Sequence, residues 1–260
     1  MFSLIIVSFN TKEILKNALS SIFAYCPREM FEVIVIDNNS GDGSAEMLNN
    51  FFGDKIKLII NKHNAGFGAA NNLGAKIARG EYLFFLNSDI IAKEDILSGL
   101  AKIFESRPEI GILAPRLILP DGSEQKFASG NFPSLADLIL GKIKKDAAEK
   151  KYIKIDWVSG AALAIRKNLF DQAGGFDENF FMYFEDIDLC KRVKDISYQV
   201  AVLPSITVVH LGGKSLKNDR QRKKYYYVSQ DYFYKKHYGK LKLALLRFFR
   251  WPYKLIILAK

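Results

Sequence analysis

The sequence predicts an α/β fold: a Rossmann-like, mainly parallel sheet flanked by helices, followed by a basic helical extension. Three observations carry this. Short apolar, β-branched runs alternate with segments of helical spacing through the first 114 residues. Such β-α-β order builds parallel strands through right-handed crossovers. The charge is also divided. Residues 214–260 hold 14 Lys or Arg against only Asp219 and Asp231, while residues 1–213 hold 24 basic and 26 acidic residues. We therefore expect an α/β domain over 1–213 and a basic, aromatic tail over 214–260.

The strands come in order. Leu4–Phe9 reads as a buried strand, and Thr11 as a cap for a helix reaching Tyr25 with Ile14, Leu15, Ala18, Leu19 and Ile22 on one face. Residues 32–37 (EVIVID) form a second strand, and a helix starts at Ser44 after a turn-rich stretch. Lys57–Ile60 is a third strand, Gly66–Arg79 a loop entering a helix, and Tyr82–Leu86 a fourth strand. A helix over Glu94–Ser106 and an apolar run over Ile110–Ala114 follow. Beyond these, 115–151 contains turn signals and lysines and reads as a flap. Glu185–Lys194 reads as a helix, and Val200–Leu203 and Thr207–His210 as two short strands.

Composition excludes several classes. With 49% hydrophobic and 25% charged residues, the chain is an ordinary globular protein, not a disordered one. Cys26 and Cys190 form neither a disulfide framework nor a metal spacing, which fits a reducing compartment. The start lacks a positive leader and a cleavage site, so no signal peptide is expected. No apolar run reaches the roughly 18 to 20 residues that span a bilayer.

Parallel sheets bind ligands beyond the carboxyl ends of their strands. Those ends carry Ser8 and Asn10, Asp37 and Asn39, Asn64, then Asn87, Ser88 and Asp89. Such residues are turn formers at any single strand, but four polar ends together point to a ligand. Asp37 can accept from the imide N–H of a uracil or thymine, or it can hold a turn. Gly66 and Gly68, in a loop that leads to Asn71 and Asn72, allow close backbone approach to an anion at a helix start. Asp89 can hold a hard cation beside a diphosphate, or cap the helix near Glu94. His210 follows an apolar run and reads as a structural residue or a ligand. Glu185, Asp186 and Asp188 open a helix after a run of aromatics. One acid suffices as a cap. Acids crowded against apolar surface hold protons more tightly, as a general base requires.

At these residues the chain resembles the family 2 inverting glycosyltransferases, especially rhamnosyltransferase-type members. The matching pieces are IIVSFN (5–10), VIDNNSGDGS (35–44), NAGFGAANN (64–72), FLNSD (85–89), WVSGAA (157–162), GGFDENFFMYFEDIDL (174–189) and HLGG (210–213), in order. The resemblance implies a GT-A fold. It implies transfer of a hexose or deoxyhexose from a UDP- or dTDP-linked donor to a glycan or lipid-linked acceptor, with inversion. It places the donor nucleotide against Ser8, Asn10, Asp37, Asn39, Asn64, Gly66, Asn71, Asn87 and Ser88. Asp89 and His210 would hold Mg²⁺ or Mn²⁺, Asp186 would be the base, and Trp157, Gly160 and Glu185 would border the acceptor. Asn87 stands where many relatives have Asp; its amide still offers a carbonyl oxygen.

In the tail, Leu241–Leu258 mixes Leu, Phe and Trp with Lys and Arg. That composition suits an interfacial helix on anionic lipid, a helix packed on the domain, or a homodimer contact. The first use places the protein in the cytoplasm, peripheral to the inner face of the cell membrane, in cell-surface polysaccharide synthesis. Two rivals remain at this stage. A sugar nucleotidyltransferase needs a Gly- and Arg/Lys-rich triphosphate loop, which residues 10–13 (NTKE) supply poorly. A nucleic-acid- or lipid-binding protein driven by the tail would leave the acidic cluster idle, so no nucleic-acid partner is expected.

Overall fold

The computed structural model describes residues 1–132, 152–212 and 219–258. The strands are β1 (Phe2–Ser8), β2 (Phe31–Asp37), β3 (Lys57–Ile60), β4 (Tyr82–Asn87), β5 (Ile90–Ala92), β6 (Ile110–Ile118), β7 (Ser129–Gly130), β8 (Ile153–Ile155), β9 (Trp157–Val158), β10 (Ala162–Arg166) and β11 (Gln199–His210). The helices are α1 (Lys12–Tyr25), α2 (Ser44–Phe51), α3 (Phe67–Ile77), α4 (Leu97–Ser106), α5 (Lys167–Gln172), α6 (Glu185–Asp195) and α7 (Asp219–Leu258). Nine strands form one sheet in the order β3-β2-β1-β4-β10-β6-β11-β5, with β8 also paired to β11. β1 to β4, β6 and β11 run one way; β5, β8 and β10 run against them.

The strand period of two divides the core between the sheet's faces. Leu4, Ile6, Val33, Val35, Phe84 and Leu86 pack with Leu15, Leu19 and Ile22 of α1, Met47 and Leu48 of α2, and Leu100 and Ile103 of α4. Their neighbours Ile5, Ile34, Ile36, Leu83 and Phe85 turn the other way, against Ala70 and Ala75 of α3 and Leu189 and Val193 of α6. Strands buried on both faces read as continuous apolar runs, as this sequence does.

The register sets the ligand edge. Ser8 pairs with Asp37, Val7 with Asn87, and Asp37 with Ile60. The polar residues after four strands therefore stand in one row.

Several expectations are revised. The two short strands at 200–203 and 207–210 are one strand, β11, whose pairing with β6 shifts register around Pro204. The helix expected from Glu94 begins at Leu97. There the Asp95 side chain accepts from the Leu97 and Ser98 amides at 2.9 and 3.1 Å. Asp95 thus fills the capping role that was open to Asp89. Residues 115–118 of the expected flap belong to β6, and 133–151 lie outside the described residues, as does the 213/214 boundary. The antiparallel strands β5 and β10 were not foreseen.

The tail is two helices joined at Gly239, whose φ of 80° breaks the helical path. Phe233, Tyr234, Leu243 and Leu246 pack with Phe180 and Phe184, the aromatics that precede α6. Arg247 and Arg250 reach back to Asp231 at 2.8 and 2.6 Å, closing the pair into a hairpin. The packed-helix reading therefore holds for this face. Leu241, Leu245, Phe248, Phe249 and Trp251 stay exposed. Among the described residues no helix is long and apolar enough to cross a membrane.

Gly74 tests the helix–sheet contact. A Cβ there would lie 2.6 Å from Ile5 Cγ2 and 2.8 Å from Ile36 Cδ1. Alanine improves helix propensity by about 1 kcal/mol, yet overpacking costs about 1–3 kcal/mol. Gly74→Ala should lower stability in urea unfolding.

Candidate active site

Polar residues gather at the carboxyl edge of the sheet, and each arrives by a local cause. Asp37 ends β2, buried. Its Oδ2 accepts from the Ser40 amide at 3.0 Å, while Oδ1 has no partner. One oxygen thus holds the turn and the other is left for a donor from outside. A buried acceptor without a partner is costly unless a ligand completes it. Asn38 was not foreseen, although it is buried and central. Its amide donates to Asn64 Oδ1 and to the Gly66 carbonyl, each at 3.1 Å, and its Oδ1 accepts from Asn61 Nδ2 at 2.7 Å. Asn64 also accepts from the Gly66 amide at 3.0 Å, so its carbonyl shapes the glycine loop. Gly66, at φ 85°, lies so close to the Phe181 carbonyl that a Cβ would come within 2.5 Å of it. Asn71 is buried in α3; its Nδ2 donates to the Phe67 carbonyl and its Oδ1 is unpartnered.

Other residues at this edge are taken up internally. The Ser8, Thr11 and Ser88 hydroxyls form a buried chain with 3.0 Å links. Thr11 thus ties the ends of β1 and β4 instead of capping α1. Asn10 and Asn39 both adopt left-handed backbone, at φ 55° and 67°. Asn10 Oδ1 accepts from the Gly41 amide at 2.8 Å, pinning the turn after β2. Asn39 is exposed.

Asp89 and His210 meet. Nε2 of His210 lies 3.1 Å from Asp89 Oδ1 and 3.2 Å from Asn87 Nδ2. The backbone explains it: β5 follows Asp89 directly and pairs with β11, setting His210 opposite Ile90. His210 Nδ1 lies 2.8 Å from Gln125 Oε1. The Gln125 carbonyl can accept only from Nδ1–H, which leaves Nε2 as the ring atom that faces the carboxylate. A carboxylate beside an imidazole nitrogen could hold a divalent cation, the carboxylate being the ligand suited to Mg²⁺ or Mn²⁺. Among the described residues no group of three or more His, Cys, Asp or Glu could hold a metal. Gln125 sits in a stretch without motif and had no signal in the sequence.

Asp186 stands at the same edge. Its Oδ2 accepts from the Gly160 amide and its Oδ1 from the Ile187 amide, both at 2.8 Å. The next carbonyl, of Ala161, accepts from the Asn87 amide at 3.0 Å. Asp186 is therefore joined to the end of β4, two residues from Asp89, through consecutive backbone groups. Gly160 matters for its size, since a Cβ would press on the Phe67 ring at 3.0 Å. Trp157 is half-buried in β9, and its indole N–H donates to the Asn131 carbonyl at 3.2 Å.

The three acids of α6 have different fates. Burial pushes the Glu185 carboxyl well above the usual range, and the Asp186 and Asp188 carboxylates push it further. Glu185 is 6% exposed, and its Oε2 has no partner. Burial also raises Asp186, against the two amides that hold its carboxylate. Asp188 is wholly buried yet lowered. Burial alone would raise it, but His237, Arg192 and Lys236, each within 2.7 Å, outweigh that effect.

This fold is that of the GT-A glycosyltransferases. The chain superimposes on GalNAc-T7 bound to UDP, GalNAc and Mn²⁺ with a TM-score of 0.66 at 18% identity, covering 98% of this chain and 54% of that one. It matches the mannosyltransferase PcManGT from Pyrobaculum calidifontis, bound to GDP-Man and Mn²⁺, with a TM-score of 0.62 at 18% identity, over 82% and 57%. Residues 3–174 match the family described as Glycosyl transferase family 2, and the chain belongs to that family. Rhamnosyltransferase WbbL of Escherichia coli K12 is 28% identical over 81% of this chain and 83% of its own. The N-acetylglucosaminyl-diphospho-decaprenol L-rhamnosyltransferase of Mycobacterium tuberculosis H37Rv is 26% identical over 82% and 76%.

Glu185 gives a pH signature. Its folded-state pKa is raised, so folding takes up a proton above the unfolded value of about 4.3. The stability tied to its proton is present below that value and lost as pH rises toward the folded pKa. Glu185→Gln should therefore gain in melting temperature relative to the parent as pH rises from 4 to 7, with the difference smallest at pH 4.

Proposed function

We propose that the chain transfers a deoxyhexose, rhamnose-like, from a UDP- or dTDP-linked donor to a hydroxyl of a lipid-linked glycan acceptor, inverting the anomeric centre. The observation that carries this is the backbone link from Asp186 through Gly160 and Ala161 to the end of β4, beside the Asp89–His210 pair. The rhamnosyltransferase names of its relatives support the sugar, and the diphospho-decaprenol in one name supports the acceptor.

Asp37 Oδ1, left without a partner, accepts the base imide N–H. The glycine loop shaped by Asn38 and Asn64 lets the donor approach the backbone. Asp89 and His210 would hold Mn²⁺ or Mg²⁺, with Asn87 adjacent; when bound, such a cation would supply positive charge against the charge that develops on the leaving diphosphate. Asp186 takes the proton from the acceptor hydroxyl as its oxygen attacks the anomeric carbon opposite the departing nucleoside diphosphate. The Gly160 and Ile187 amides fix the rotamer of that carboxylate. Burial favours the neutral form of Glu185, which lessens negative charge beside Asp186. Trp157 and Gly160 border the acceptor. The basic tail, with its exposed apolar face, rests on the inner, anionic surface of the cell membrane.

Two substitutions test the roles. Asp186→Asn should lower kcat about a hundredfold to ten-thousandfold while donor affinity, read by calorimetry with the nucleoside diphosphate, stays unchanged. Asp89→Ala should weaken that affinity in Mn²⁺ about tenfold and reduce its dependence on the cation; equal affinities would remove Asp89 from the metal site.

A further inference from the structure

We infer that Gln125 is a positioning residue for the Asp89–His210 pair. It fixes the His210 ring with Nε2 at Asp89, and through the ring it sets how tightly the pair takes a divalent cation. The second half rests on the reading of that pair as a cation site. Gln125 Oε1 lies 2.8 Å from His210 Nδ1, while Nε2 faces Asp89 Oδ1 at 3.1 Å and Asn87 Nδ2 at 3.2 Å. A histidine ring has two broad orientations about its outer torsion. Turned over, it would put C–H groups where Nδ1 and Nε2 now stand and lose all three contacts. The bond from Nδ1–H to Gln125 therefore favours the orientation that presents Nε2. Histidines that bind metals are commonly held in this way, through the ring nitrogen that does not bind.

The backbone delivers Gln125 to this place. β6 pairs with β11 as far as Ile118 opposite Val209, next to His210. The chain then turns back. The Gly122 amide donates to the Leu119 carbonyl at 2.9 Å, the Leu119 amide to the Ser123 carbonyl at 2.8 Å, and the Gln125 amide to the Leu117 carbonyl at 3.0 Å. Residues 121–124, 126 and 127 are exposed, and Gln125 among them is half-buried. Its side chain is thus turned inward from a loop that otherwise faces water, and no core packing accounts for it. Three residues on, the Ala128 carbonyl accepts from the Ser159 amide at 2.8 Å. Between the two anchors Phe127 takes left-handed backbone, at φ 59°. Such strain in a non-glycine residue persists where the surroundings over-determine it, as bonds at Gln125 and Ala128 do. Ser159 precedes Gly160, whose amide holds Asp186. Residues 125–128 therefore link the Asp89–His210 pair to the loop that orients the base.

Two measurements on the full chain test the role, and neither needs turnover. The first is the His210 Nδ1–H signal in proton–nitrogen NMR of the metal-free protein, identified by its loss in His210→Ala. The parent should show this proton protected from exchange with water. Gln125→Leu should lose the protection, and Gln125→Glu, which keeps an acceptor oxygen at the same reach, should restore it. The second is titration with Mn²⁺ in the presence of UDP, with free Mn²⁺ read by electron paramagnetic resonance. Gln125→Leu should weaken Mn²⁺ binding about tenfold, and Gln125→Glu should bind at least as tightly as the parent. Melting curves check that each variant is folded, and Gln125→Ala replaces the leucine variant if leucine disturbs the loop. A parent without a protected Nδ1–H, or a folded Gln125→Leu protein that keeps it, would overturn the inference. So would Gln125→Leu binding Mn²⁺ like the parent while His210→Ala does not. If His210→Ala and Asp89→Ala both bind Mn²⁺ as the parent does, the reading of the pair as a cation site fails instead, and the Nδ1–H signal still decides whether Gln125 holds the ring.

Discussion

Asp188 is a wholly buried carboxylate that cations from two parts of the chain must neutralise. Arg192 comes from the same helix one turn on and Lys236 from the tail, where His237 Nε2 also lies 2.7 Å from the carboxylate. Burying a charge costs several kcal/mol unless partners meet it, so the tail cannot leave without exposing or protonating Asp188. The tail's first helix is thereby fixed to α6, which carries Glu185 and Asp186. Lys236 also bonds Asp177, whose carboxyl is lowered to about 2: burial would raise it, and Lys236 and Asn179 pull it below. The segment 177–188 is clamped at both ends by one lysine. Electrostatics then follows by subtraction. With Asp188 neutralised, Glu185 and Asp186 face less negative potential than three carboxylates in one turn would impose, yet burial keeps both proton affinities raised.

The clamp extends to the glycine loop before α3. The aromatics that the tail packs against lead back to Phe181, whose carbonyl accepts from the Phe67 amide at the start of α3. That contact lies on the glycine loop, where no side chain would fit at Gly66. Tail, acid helix and glycine loop are therefore successive layers of one packed unit. The sheet supplies the other half of the site by register alone: parallel pairing of β1, β2 and β4 ends the strands at one level.

Much of the fold was legible because a parallel sheet buried on both faces writes itself as apolar runs. β3 spans the expected residues, and α1 and β2 differ from expectation by at most a residue at each end. The antiparallel strands were not legible, since β5 is three residues long and β10 follows small residues that read as a turn. Of the site, the acids stood out because charge is rare at the end of an apolar run. Asn38, Thr11 and Gln125 did not, because turn formers and a polar residue in a loop look the same whether they serve a site or solvent. Their partners lie 26, 77 and 85 residues away, a separation no local pattern encodes.

The same limit explains the tail. Its composition marks it as basic, aromatic and helical, which fits a membrane surface and a protein surface equally well. Structure divides the two uses between faces. Phe233, Tyr234, Leu243 and Leu246 are spent on the domain, and Leu241, Phe248 and Trp251 are not. The kink at Gly239 makes the division possible, since a straight helix would carry its second half away from the domain; folded back, the second half lies over Tyr227 and Asp231. An apolar face on a hairpin locked to the acid helix cannot move independently of it. Whatever surface that face meets is therefore held at a fixed distance from α6 and its acids.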